Sequence, residues 1–109
     1  MKKVIYNKLI RDRIPEIIAD NGASCKTRTL NKVEFQAELK KKVVEEATEL
    51  SCAKNKKDLI DELSDIQELT DTLLLLYNSS RSELRSWQLK KRKKRGGFAK
   101  RLFLEYTEG

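Results

Sequence analysis

Two stretches of this 109-residue chain repeat apolar residues at the period of a helix, and each carries an acidic pair where leucine is expected. In KKVVEEATEL the pair is Glu46 and Glu49; in DLIDELSDIQEL it is Glu62 and Asp65. On a wheel centred on Glu46, at about 100° per residue, Phe35, Leu39, Val43, Leu50 and Ala53 fall within roughly 60° of it. On a wheel centred on Glu62, the same holds for Leu59, Ile66, Leu69, Leu73 and Leu76. Such a stripe is the face that a helix buries. A lone carboxylate there is strongly disfavoured unless it is protonated, paired or metal-bound. Four acids converging in one interior repel each other as well. A divalent cation resolves that conflict.

The rest of the chain agrees with helices. Charged residues make up 38% and aromatics 6%, with one Pro and four Gly, a composition rich in helix formers and poor in breakers. The length accommodates one domain, residues 1–109, and a chain this short gains from assembly into an oligomer. Pro15 suits a first helical turn and Asn21-Gly22 a stop, so a short extended start leads into a first helix. The stretch from Cys25 to Leu30 reads as extended. Asn31 with Glu34 three residues later is a capping pair that opens a helix from about Lys32 to Lys54. After the polar break Asn55-Lys56-Lys57, a second long helix runs to Tyr77. Ser80 with Glu83 repeats the capping signature and opens a fourth helix, which Gly96-Gly97 ends at about Arg95. The tail from Phe98 to Thr107 reads as loosely extended. Short breaks between long helices favour an all-α, antiparallel bundle of about four helices.

Several function classes recede. No apolar run approaches the roughly 20 residues of a membrane span, and Met1-Lys2-Lys3 is followed by no signal-peptide core. Two isolated cysteines and no histidine make no zinc site, and they read as reduced thiols in a cytoplasmic protein. The net charge of +7 is concentrated between Arg85 and Arg101, which holds nine basic residues. Such a tract suits either a polyphosphate substrate or a nucleic acid.

Mg²⁺ takes oxygen ligands in an octahedron and keeps positions for water and phosphate, with Mn²⁺ as a possible substitute. Acids at i and i+3 on one helix, facing a second such pair, hold the ion from both sides. Glu45, one turn before Glu49, is a fifth acid placed to bind a second ion or to accept a proton from an attacking water. On their own, ExxE and ExxD patterns are common on solvated Glu-rich helices; their position on two apolar stripes is what sets these apart. Asp61, Glu68 and Asp71 lie off the stripe centre and read as surface charge or interhelix partners.

The pattern Glu45-Glu46-x-x-Glu49 followed by Glu62-x-x-Asp65 resembles that of the MazG-type all-α nucleoside triphosphate pyrophosphohydrolases. YNKLIRDRIPEII (Tyr6 to Ile18) and RGGFAKRLFLE (Arg95 to Glu105) look like one branch of that superfamily, the phosphoribosyl-ATP pyrophosphohydrolase-like, house-cleaning enzymes. The resemblance spans nearly the whole chain. It implies a helical bundle assembled at least as a dimer, with Mg²⁺-dependent cleavage between the α and β phosphates of a nucleotide. It also implies that Glu46, Glu49, Glu62 and Asp65 are metal ligands, while Glu45 matches an acid whose role is less uniform.

Lys8 and Arg11, ahead of Pro15, are candidates for phosphate contact, since Arg offers a bidentate fork and Lys a point charge. In KKRKKRGG six consecutive basic residues cannot all face one ligand, which leaves Lys94 and Arg95 as the candidates nearest the glycines. Trp87, Tyr77 and Phe98 read first as packing residues. Two other functions compete with the enzyme: a nucleic-acid-binding module using residues 85–101, and a catalytically silent bundle acting as a partner. Few aromatics interleave with the basic run, and a binder gains nothing from four interior acids, so nucleic acid is the weaker reading.

Overall fold

Three of the four helices begin where a side chain satisfies a free amide group of the first turn, and the first begins at a proline-containing turn without such a cap. In the computed structural model, which describes residues 2–109, the four are α1 (Ile14–Asp20), α2 (Lys32–Ser51), α3 (Lys56–Leu76) and α4 (Arg81–Arg95). The fold is all-α, with no strand among the described residues. Asn31 caps α2 with a full capping box: its side chain accepts the Glu34 amide at 2.9 Å, and Glu34 reaches back to the Asn31 amide. Ser80 caps α4 by accepting the Glu83 amide at 3.2 Å.

The junction between α2 and α3 differs from the sequence expectation. Asn55 is the N-cap of α3, accepting the Asp58 amide at 2.8 Å, so the helix starts at Lys56 within the expected polar break. On the other side, α2 stops at Ser51, three residues earlier than expected. The connection is thereby only four residues, 52–55, which forces α2 and α3 into an antiparallel hairpin. Lys40 stacks over the Tyr77 ring at 5.8 Å and ties the open end of this hairpin. At the far end of α3, Asn78 takes φ 57° and the Ser79 amide bonds back to the Leu74 carbonyl at 2.7 Å.

The α2–α3 seam is the one extensive helix pairing among the described residues. Its centre is Leu39, 2% exposed and the only buried apolar side chain described; Phe35, Val43, Ile66, Leu69 and Leu73 are half-buried around it. Leu59, placed on the stripe by its spacing, is exposed in the first turn of α3. Helix α4 joins α3 through Arg81, whose guanidinium grips Asp71 at 2.6 and 2.7 Å. The molecule measures 64 × 35 × 27 Å. No helix of the described residues is long and apolar enough to cross a membrane.

Candidate metal centre

The hairpin sets the acids of α2 against those of α3. Carboxylate oxygens of Glu46, Glu49 and Glu62 lie within 4.8 Å of one another. A second triad of Asp61, Glu62 and Asp65 meets the same limit, so Glu62 belongs to both. Asp65 thus joins the cluster through Glu62 rather than by meeting the α2 acids directly. Asp61, read from the wheel as surface charge, is exposed yet stands inside the second triad. The signal for it was available: Asp61 and Asp65 are four residues apart, one helical turn.

Burial is graded across the cluster. Glu46 is 7% exposed, Glu62 and Asp65 are half-buried, and Glu49 and Asp61 are exposed. Glu46 Oε2 and Glu62 Oε2 are buried and have no hydrogen-bond partner. Burial, foremost, raises the Glu46 carboxyl to about 7, with Glu62, Glu49 and Asp65 adding to the shift. For Glu62 the largest influence is a proton shared from Glu46, which lowers it. Burial and the charges of Glu49 and Asp65 outweigh that and leave it raised. With both groups ionised, the two Oε2 atoms are buried negative charges without a donor. A proton shared between them, or a cation, removes the conflict.

The donor set fits a hard divalent ion. All the converging ligands are carboxylate oxygens, and the orphaned oxygens of Glu46 and Glu62 supply the unmet demand for positive charge. Such a set suits Mg²⁺ or Mn²⁺ and not a metal that prefers nitrogen or sulfur. The two cysteines, Cys25 and Cys52, are free and exposed.

The basic candidates divide. Arg11 reaches the cluster, its Nη2 donating to Asp65 Oδ1 at 2.6 Å across 54 positions of sequence. Lys8 lies over the Tyr6 ring at 5.7 Å. Glu45 pairs with Lys42 at 3.6 Å on the same helix. Lys94 and Arg95 are exposed in the last turn of α4 and form no ion pair with the acids among the described residues. Two shallow hollows of about 270 and 310 Å³ lie at the α3–α4 corner, lined by residues such as Asp71, Leu74, Leu84 and Arg85, away from the acidic triads.

Compared with known proteins, the chain matches no family model, no curated protein and no solved structure.

Proposed function

We propose that this chain is a Mg²⁺-dependent nucleoside triphosphate pyrophosphohydrolase of the MazG type, cleaving the α–β phosphoanhydride to a nucleoside monophosphate and pyrophosphate. The observation that carries the reading is Glu46, buried in an apolar seam with an unpartnered oxygen and two further carboxylates within reach. Nothing but a proton or a cation makes that arrangement stable at neutral pH. Glu46, Glu49 and Glu62 would hold the ion, with Asp65 beside them through Glu62. A bound Mg²⁺ supplies charge neutralisation on the polyphosphate and a lowered pKa for the attacking water.

The chain's own residues do the rest. Glu45, half-exposed one turn from Glu49, accepts the proton of the water that attacks phosphorus. Arg11 and Lys8 hold phosphate oxygens from the N-terminal side. Lys94 and Arg95 contribute to the polyphosphate from α4, which in a single chain stands clear of the acids; a second copy is the natural route by which they approach. The new P–O bond comes from water, and the bridging oxygen leaves with pyrophosphate.

The same reading makes the protein a homodimer or larger. Its accessible surface is 10520 Å² and its radius of gyration 18.8 Å. A compact monomer of this mass exposes about 6,200 Å² with a radius near 13 Å. The excess, about 4,300 Å² for one chain, is more than the roughly 1,000–2,500 Å² that each partner of an obligate homodimer buries, so one such interface would cover only part of it. We set the enzyme in the cytoplasm, where exposed Cys25 and Cys52 stay reduced.

The test is a panel of canonical and modified nucleotides incubated with Mg²⁺, with products resolved as pyrophosphate or orthophosphate. Pyrophosphate release supports the enzyme and names its substrate. Salt-sensitive binding of DNA or RNA to residues 85–101 with no turnover replaces it by a nucleic-acid-binding module.

A further inference from the structure

We infer that Arg11 is a built-in cation of the acidic cluster: one divalent ion binds among Glu46, Glu49 and Glu62, and the Arg11 guanidinium holds the Asp61–Glu62–Asp65 end in place of a second. This rests on the metal reading above and fixes the number of ions that the site takes.

The two triads share Glu62 but differ in what neutralises them. The first holds Glu46, more than nine-tenths buried, and two oxygens without a hydrogen-bond donor. Among the described residues no basic side chain pairs with Glu46, Glu49 or Glu62, so this triad's positive charge has to come from outside the chain. The second triad already has its cation. Arg11 Nη2 lies 2.6 Å from Asp65 Oδ1, and both side chains retain contact with water, 58% and 31% exposed.

Arg11 is also held in place from behind. Its carbonyl accepts the Ile14 amide at 3.1 Å in the turn that leads into α1, so the side chain approaches from an anchored backbone. A dication entering the second triad would meet the guanidinium at close range, and the two positive charges repel. The guanidinium has five N–H donors, of which one is engaged at Asp65. The others remain available for a phosphate oxygen of a substrate bound to the neighbouring ion. Arg11 is thus a positioning residue for the cluster as well as a phosphate contact, and at Asp65 it balances the negative charge that a second ion would otherwise balance.

The experiment is Mn²⁺ binding without nucleotide, followed by the electron paramagnetic resonance signal of the free ion up to millimolar concentration. The full chain is compared with Arg11→Ala and Arg11→Lys, and far-ultraviolet circular dichroism checks that each is folded. The expected result is one Mn²⁺ per chain in the unaltered protein, two in Arg11→Ala, and one in Arg11→Lys, whose ammonium restores the charge. Two ions in the unaltered protein, or one in Arg11→Ala, overturn the inference and leave the metal reading standing. No Mn²⁺ bound by any of the three overturns both.

Discussion

Glu46 concentrates the chemistry of this molecule in one side chain. In the metal-free protein its carboxyl titrates near 7 instead of near 4.5, because the apolar seam and three neighbouring acids disfavour its charge. The folded chain therefore binds a proton that the unfolded chain releases between pH 4.5 and 7. Stability from this group is fully present below about 4.5 and is lost as the pH rises through 7. With EDTA present, melting temperatures are expected to fall between pH 5 and pH 8, and the fall is expected to shrink in Glu46→Gln, where that position no longer carries a titrating group. Saturating Mg²⁺ is expected to raise the pH 8 value, since a ligand of the native state adds stability in proportion to RT ln(1 + [L]/Kd). Leu39 is the apolar counterpart. As the one buried apolar side chain described, it is expected to cost about 2–5 kcal/mol on replacement by Ala, read from urea unfolding.

Among the elements, α4 has the least support from its neighbours. It carries good local signals: a Ser80 cap, Glu83 in the first turn, and Arg92 to Arg95 in the last turn, where cations suit the helix dipole. What joins it to α3 is the Arg81–Asp71 pair, partly exposed and open to screening by salt. Its stretch from Lys90 to Arg95 is exposed throughout, so proximity to the glycines separates the basic side chains better than burial does. If the end of α4 engages the polyphosphate, Arg95→Ala is expected to lower kcat/KM about tenfold, the loss of roughly one charged hydrogen bond. Lys90→Ala is expected to stay near the unaltered rate because that side chain is solvent-screened. Equal, near-normal activity in both variants would make the tract ordinary surface charge.

The whole molecule is too open for a chain of its size. Large apolar side chains stand in water on every element: Leu63 on α3, Trp87 on α4, and Phe98, Leu102, Phe103 and Leu104 along the tail, the last four at least 78% exposed. A monomer that leaves such a surface uncovered has little to hold it together, with one seam and one buried leucine. Light scattering at micromolar concentration is expected to give a mass of at least two chains. A monomer of 12.7 kDa would remove the proposed approach of Lys94 and Arg95 from a second copy.

What the residues decide without help is local. The cap at Asn31 with Glu34, the cap at Ser80 with Glu83, and the stop at Gly96 were legible because each involves groups three or four positions apart. The same local rule also covers Asn55, whose side chain accepts the Asp58 amide three positions on, inside what the sequence reads as a polar break. The stripe positions of Leu39 and Glu46 followed from the helical period alone, and both are buried. The period cannot give the register of one helix on another. That register comes from the four-residue connection and the packing around Leu39, and it brings Glu62 to the α2 acids while leaving Asp65 to Arg11. A contact across 54 positions leaves no periodic trace, since neither residue changes the local preference of the other. Sequence determined which stripe of each helix faces the seam; the tertiary structure decided which side chains of that stripe are buried, since Leu59 and Glu49 are exposed, and which of them meet.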